Sequence, residues 1–251
     1  MTVRGEFTDG VRWLKRCYDD DHGHEHVAAY LLSRDDHHVL VDSGSHHYED
    51  DLVQILTEHV GDGSFDAVVL SHPDLPHSAN IRAVQAIDDD VELICANSAP
   101  EVVGLPARTR VAFNETMQIG TRDITFLESP LADIIFTTWP YDHETGVIFT
   151  ADGFGLFHDP GECDRVFDTD LDGLTVDDLA TYHRHSLRWL ELIDPTKLMA
   201  HLRQIFDERD ISYVAPAHGS PIAGHLLPEY FDMLETAIEQ VAAESKYGVE
   251  M

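Results

Sequence analysis

The sequence predicts an α/β fold in which sheets pack together and helices lie outside them. Three observations support this. Strand-like segments crowd the first half, helical spacing dominates the second, and a strand pattern returns late in the chain. The 251 residues, 43% apolar, suffice for a substantial core. No Gly/Ser/Pro-rich linker divides them, so a single domain over 1–251 is expected.

The elements follow in order. Val27–Ser33 and His38–Asp42 are short, apolar and β-rich, and the turn Arg34-Asp-Asp-His makes them a hairpin. Leu52, Val53, Leu56 and Val60 stand at helical spacing over Tyr48–Val60, and Gly61-Asp-Gly-Ser should end that helix. Phe65–Leu70 is an apolar run broken only by Asp66, as in a strand buried on both faces. Pro76 suits the first turn of the next helix, through Ile87, where its missing N–H has no partner to lose. Val91–Cys95, Arg110–Phe113, Asp123–Glu128, Ile134–Thr138 and Thr145–Thr150 read as strands. Thr175-x-x-Asp178 is a capping box opening a helix to Leu192. Asp194-Pro195 opens another to Arg209. Ile211–Ala215 is a strand, and Tyr230, Leu234, Ala237, Ile238 and Val241 form the apolar stripe of a final helix.

Charge narrows the setting. Sixteen Lys+Arg face 47 Asp+Glu, a net charge of −31, with the acids spread along the chain. Such self-repulsion is screened by salt, so a halophilic, salt-filled cytoplasm is expected, with an acidic binding surface as the alternative. Nucleic acid is not an expected partner, because counterion release needs a basic face. No run approaches the roughly 18 apolar residues of a membrane span. The segment Met1-Thr-Val-Arg-Gly-Glu-Phe lacks the apolar stretch of a secretory leader. Cys17, Cys95 and Cys163 are odd in number and far apart with no C-x-x-C, which reads as packed free thiols in a reducing compartment.

Metal-capable side chains fall at strand ends, where scaffolds gather functional groups. His72, Asp74 and His77 follow Phe65–Leu70; Asp133 is expected to begin a strand; Asp152 ends one; His218 ends the last. Each alone has a plain structural reading, as a surface histidine or an Asp-Gly or His-Gly turn. Their order along one chain carries more weight.

That order resembles the metallo-β-lactamase fold family, an αββα sandwich, and within it the diiron domain of flavodiiron proteins. Ser71-His72-Pro-Asp74-Leu-Pro76-His77 resembles the H-x-[HE]-x-D-H motif. Val41-Asp42-Ser43-Gly44 resembles the early V-D-T/S-G turn, and Ile148-Phe-Thr-Ala-Asp152-Gly-Phe-Gly resembles L-F-S-x-D-A-F-G. Tyr213-Val-Ala-Pro-Ala-His218-Gly-Ser-Pro-Ile is similar to I-A-P-S-H-G-P-I, and the helical region around Tyr182, Leu190 and Asp194-Pro195 is similar to the flavodiiron insertion. The likeness runs over residues 26 to 240. Two positions depart from it: Pro76 stands where the motif has Asp, and Asp133 where it has the middle His.

The resemblance implies two metal ions. His72, Asp74 and Asp133 would hold one, His77 and His218 the other, and Asp152 would bridge. An oxygen-rich half beside a two-His, one-carboxylate half leans to iron, with manganese or zinc as alternatives. It implies binding, sensing or reduction of O₂ or a related small oxidant. No flavin site is recognised in this chain, so electrons would come from a separate redox protein, and a homodimer is conceivable from the family. The alternatives are a metal-dependent hydrolase of an ester, thioester or lactone, and a non-catalytic domain with a relic site. Pro76 weighs against hydrolysis, because metal-activated water needs the positioning carboxylate that it lacks. His26 and His158 are the further candidates for catalytic residues, His26 at the site mouth and His158 behind the bridging Asp. His22 and His24 share the first place with His26, and His143 could replace the missing middle His. His46, His47, Tyr182, His183 and His185 read as surface or packing residues.

Overall fold

The computed structural model describes residues 5–60, 65–96 and 109–243. Two sheets stack face to face. The first has the order β1 (Glu6–Thr8), β2 (Val11–Asp20), β3 (Gly23–Arg34), β4 (His37–Val41), β5 (Ala67–Val69), β6 (Glu92–Ala96), β7 (Thr109–Val111). The two-residue strand β12 (Phe157–His158) adds to β3. The second sheet runs β14 (Ile222–Ala223), β13 (Tyr213–Pro216), β11 (Val147–Ala151), β10 (Thr138–Asp142), β9 (Arg122–Glu128), β8 (Glu115–Ile119). Helices α1 (Glu49–Val60), α2 (Leu75–Ser78) and α3 (Ile81–Ile87) come from the first half. Helices α4 (Val176–Ser186), α5 (Pro195–Asp207) and α6 (Leu227–Ala243) come from the second.

Strand alternation sorts the core into three layers. Tyr30, Val41, Val69 and Ile94 face Phe126, Phe149 and Ala215 between the sheets. Their neighbours Leu31, Leu40 and Val68 point the other way, onto Leu52, Leu56 and Val84 of α1 and α3. On the far sheet Trp139, Ile148 and Val214 pack against Leu179, Met199 and Leu234 of α4, α5 and α6. The result is the expected αββα sandwich.

Several elements differ from expectation for physical reasons. Ile134–Thr138 is not a strand: Ile135 is 81% exposed, the segment is a turn, and the strand begins at Thr138. Asp133 therefore lies on a loop rather than opening a strand. The helix expected from Pro76 to Ile87 breaks between Ser78 and Ile81, and Asn80 at the break donates its side chain to the carbonyls of Ser43 and Ser45. The helix from Thr175 has the expected capping box but ends at Ser186, and a 3₁₀ turn, Arg188–Leu192, follows. The Gly61–Ser64 turn lies outside the described residues.

The topology sets up the site. β4, β5 and β6 run parallel, as do β11 and β13. Asp42, Ser71-His72, Asp152 and His218 follow the carboxyl ends of β4, β5, β11 and β13. In open α/β sheets that edge is where ligands bind. No helix among the described residues is long and apolar enough to cross a membrane.

Candidate metal centre

Two of the turns at this edge, after β4 and β11, are held in an unusual shape. Asp42 and Ala151, both non-glycine residues, have positive φ of 58° and 49°. Such conformations cost about 1–3 kcal/mol each and persist only where the surroundings impose them. Asp42 is held by accepting from the Ser71 backbone N–H at 2.8 Å and the Ser71 hydroxyl at 2.8 Å. Gly44 closes this turn at φ +67°, and a Cβ there would fall 1.5 Å from the Tyr48 hydroxyl. Behind Asp152, the Tyr182 hydroxyl donates to the Asp152 carbonyl at 3.0 Å, and a Cβ on Gly155 would lie 2.0 Å from Tyr182 Cζ. Thus Tyr182, expected only to pack, fixes the Asp152 turn from α4.

Four buried side chains converge here. His77 Nε2 and His218 Nε2 are 3.4 Å apart, and each lies 3.5 Å from Asp152 Oδ1. A first-row ion with bonds of about 2.0–2.2 Å in near-tetrahedral geometry sets ligand edges of about 3.4 Å. The opposite ring nitrogens are already engaged. His77 Nδ1 bonds Asp42 Oδ2 at 2.8 Å, and His218 Nδ1 meets the His26 carbonyl at 3.0 Å and Glu25 Oε1 at 3.2 Å. Such outer partners fix a ligating histidine's tautomer and ring plane.

His72 stands between two carboxylates, with Nδ1 3.6 Å from Asp152 Oδ2 and Nε2 3.8 Å from Asp133 Oδ1. His72, Asp74 and Asp133 each offer one donor atom, all within 4.8 Å of one another. Asp74 also caps α2 through the Leu75 N–H at 2.7 Å. The Asp133 loop is pinned by Trp189 Nε1, which donates to the Ala132 carbonyl at 2.7 Å. Buried His72 Nε2 and Asp152 Oδ2 have no hydrogen-bond partner. Orphaned buried atoms of this kind are rare, and cations bound at this edge would give them partners.

The electrostatics describe a cation-hungry pocket. Burial would push the Asp152 carboxyl up, but His72, His77 and His218 hold it well below the usual carboxylate range. Burial would lower His77, yet Asp42 and Asp152 carry it well above the ordinary imidazole value. His218 is raised, against its burial, by Glu25 and Asp152. His72, dominated by burial and by His77, is lowered to about 4. Burial and the neighbouring Asp152 push Asp133 up to about 6. Proton uptake and cation uptake compete for the same nitrogens and oxygens.

The structure thus brings together His72, Asp74, His77, Asp133, Asp152 and His218. His26 and His158 are placed otherwise than expected. His26 Nε2 meets the Cys163 carbonyl at 2.9 Å, its ring stacks on His158 at 4.0 Å, and His158 Nε2 faces Cys17 Sγ at 3.4 Å. No hydrogen bond or ring contact among the described residues joins either ring to the cluster. His26 serves it through its backbone carbonyl alone. His143 is also elsewhere, bonded to Thr125 Oγ1 at 2.7 Å. Sequence reasoning passed over Asp42 and Glu25 as partners of His77 and His218. Asp42 had a visible cue in the Val41-Asp42-Ser43-Gly44 turn; Glu25, flanked by His24 and His26, had none.

Residues 26–219 match the family described as ODP family beta lactamase. The chain belongs to that family. Among curated relatives it is 25% identical over 223 residues to the putative diflavin flavoprotein A 2 of a Nostoc species, covering 85% of this chain and 37% of that protein. It is 27% identical over 232 residues to a nitric oxide reductase of Moorella thermoacetica, covering 84% of this chain and 56% of that protein. The chain thus spans from about a third to just over half of these relatives. Of solved structures, the flavodiiron protein from Giardia intestinalis superposes with a TM-score of 0.72 at 19% identity, over 96% of this chain and 58% of that one. A 1–254 fragment of the putative diflavin flavoprotein A 5 from Nostoc gives 0.74 at 15% identity, covering 97% of both chains. The family's likeness to flavodiiron cores and the two-sheet architecture agree: this is the metallo-β-lactamase fold.

Proposed function

We propose that the chain is a flavodiiron-like, non-haem dinuclear metal domain that binds, senses or reduces O₂ or a related small oxidant such as NO. The observation that carries this is the trio His77 Nε2, His218 Nε2 and Asp152 Oδ1, set 3.4–3.5 Å apart with their far ring nitrogens already anchored. His72, Asp74 and Asp133 would hold the other ion, and Asp152 would bridge. Iron is favoured, because two histidines and a carboxylate with open positions suit Fe(II). When bound, the ions would supply redox chemistry; the chain's own part is to orient donors and shape access.

Access would run past Asp133. A cleft of about 400 Å³, lined by Asp133, Ile134, Ile135, Phe113 and Trp189, opens beside the first half. Its apolar wall suits a small uncharged gas. Pro76 removes the carboxylate that would orient an attacking water, which disfavours the hydrolase reading. One relative is named as a diflavin flavoprotein, and a separate redox partner is the proposed source of electrons. The net charge of −31 fits a salt-rich cytoplasm, and a homodimer is proposed from the flavodiiron resemblance alone.

Metal analysis of anaerobically purified protein, with visible spectra before and after O₂ or NO, tests the proposal. Iron approaching two per chain with a spectral change on gas addition is expected. Absence of iron after reconstitution, with no response to either gas, overturns it. The anchoring role of Asp42 is tested separately. Asp42→Asn should weaken metal binding about 10–100-fold, as removal of outer-shell partners generally does. Chelator competition reads this, and the loss should fall on the ion held by His77 and His218.

A further inference from the structure

A second convergence of donors lies outside this cluster. Antiparallel pairing of β2 with β3 sets Cys17 opposite His26 and Asp19 opposite His24, and pairing of β12 with β3 sets His158 opposite His24. Directly paired residues and their i±2 neighbours share a sheet face. Cys17, His24 and His158 therefore emerge on one side. The 3₁₀ turn Pro160–Glu162 then brings Cys163 over them. Although 146 positions separate the two cysteines, all four side chains offer donor atoms within 4.8 Å of one another.

The spacing suits an ion. His158 Nε2 lies 3.4 Å from Cys17 Sγ, and His24 Nδ1 lies 3.3 Å from Cys163 Sγ. Tetrahedral zinc, with Zn–S about 2.3 Å and Zn–N about 2.0–2.1 Å, sets S···N edges of about 3.6 Å. His24 shows the further anchor that ligating histidines carry, since its Nε2 bonds Asp19 Oδ1 at 2.8 Å and Nδ1 is left for the cluster. Two soft thiolates and two imidazoles with no carboxylate select zinc over the hard ions suited to the Asp152 centre.

We propose that Cys17, His24, His158 and Cys163 form a tetrahedral structural zinc site. Cys17 and Cys163 would then be ligands rather than packed thiols; of the three cysteines, Cys95 alone is buried in the core. An ion there ties β2, β3 and β12 to the turn after β12. It thereby fixes the segment whose Glu25 carboxylate and His26 carbonyl orient His218. The site shares no ligand with the Asp152 centre.

The full chain, purified under reducing conditions, is analysed for zinc and separately loaded with Co²⁺. One zinc per chain is expected, together with a thiolate-to-cobalt charge-transfer band. A double variant Cys17→Ser, Cys163→Ser should lose that zinc while retaining the metal of the Asp152 centre, and Asp152→Ala should do the reverse. Zinc content unchanged in the double variant overturns the proposal. So does a cobalt-loaded protein without sulfur charge transfer, or a Cys17–Cys163 disulfide persisting after reduction. If the double variant fails to fold, the cobalt spectrum of the unaltered chain decides.

Discussion

Asp152→Ala is expected to strip metal from both halves of the candidate centre at once. Its carboxylate lies 3.5 Å from both His77 Nε2 and His218 Nε2 through Oδ1, and 3.6 Å from His72 Nδ1 through Oδ2. Removing an outer-shell partner alone costs about 10–100-fold in affinity, so losing a shared ligand should exceed about 100-fold at each position. His72→Ala makes the contrast. It should release the ion of the oxygen-rich half and leave the one held by His77 and His218. Metal content after dialysis against a weak chelator distinguishes the two. Equal losses in both variants would mean that the halves do not fill independently. Full retention in Asp152→Ala would remove the bridge from the account.

The second large effect concerns stability rather than chemistry. Arg122 and Asp142 form a buried ion pair at 2.7 Å, and Asp142 also accepts from the Thr145 hydroxyl at 2.7 Å. Arg122 is 2% exposed and Asp142 fully buried. Arg122→Met would leave a buried carboxylate without its partner, a class of change that costs about 3–5 kcal/mol. Denaturant unfolding at fixed salt should show the midpoint falling accordingly. The double variant Arg122→Met, Asp142→Leu should recover much of the loss, because burying two apolar groups removes the need for compensation. A single variant within about 1 kcal/mol of the unaltered chain would show that water or another cation reaches Asp142.

The layers were legible because their cues are local. Ala67–Val69 is apolar throughout since β5 is buried on both faces, and Leu52, Leu56 and Val60 mark the inner side of α1. β2 was not legible. Lys15 interrupts its apolar pattern, yet Lys15 is buried, pairing with Asp164 at 2.9 Å and lying over the Trp13 ring at 4.4 Å. Compensation by a residue 149 positions away leaves no trace in a short window. Ile134–Thr138 failed the other way, as an apolar stretch that turns out to line an open cleft.

The centre divides along the same line. Its six proposed ligands sit at strand ends in a telling order, and the structure gathers them. Their orientation was hidden, because Glu25 and the His26 carbonyl reach His218 from the other sheet. The rings of His26 and His158 were drawn to Cys17 and Cys163, whose meeting depends on a two-residue strand, β12. Only long-range pairing creates that contact.

Anomalous diffraction at the iron edge from anaerobically grown crystals tests the central claim most directly. Two peaks about 3.5–4 Å apart are predicted, as in two-metal sites generally. One should lie among His72, Asp74 and Asp133, the other between His77 and His218, with the Asp152 carboxylate between them. Density with no iron signal there, or a lone ion that Asp152 does not touch, would contradict it.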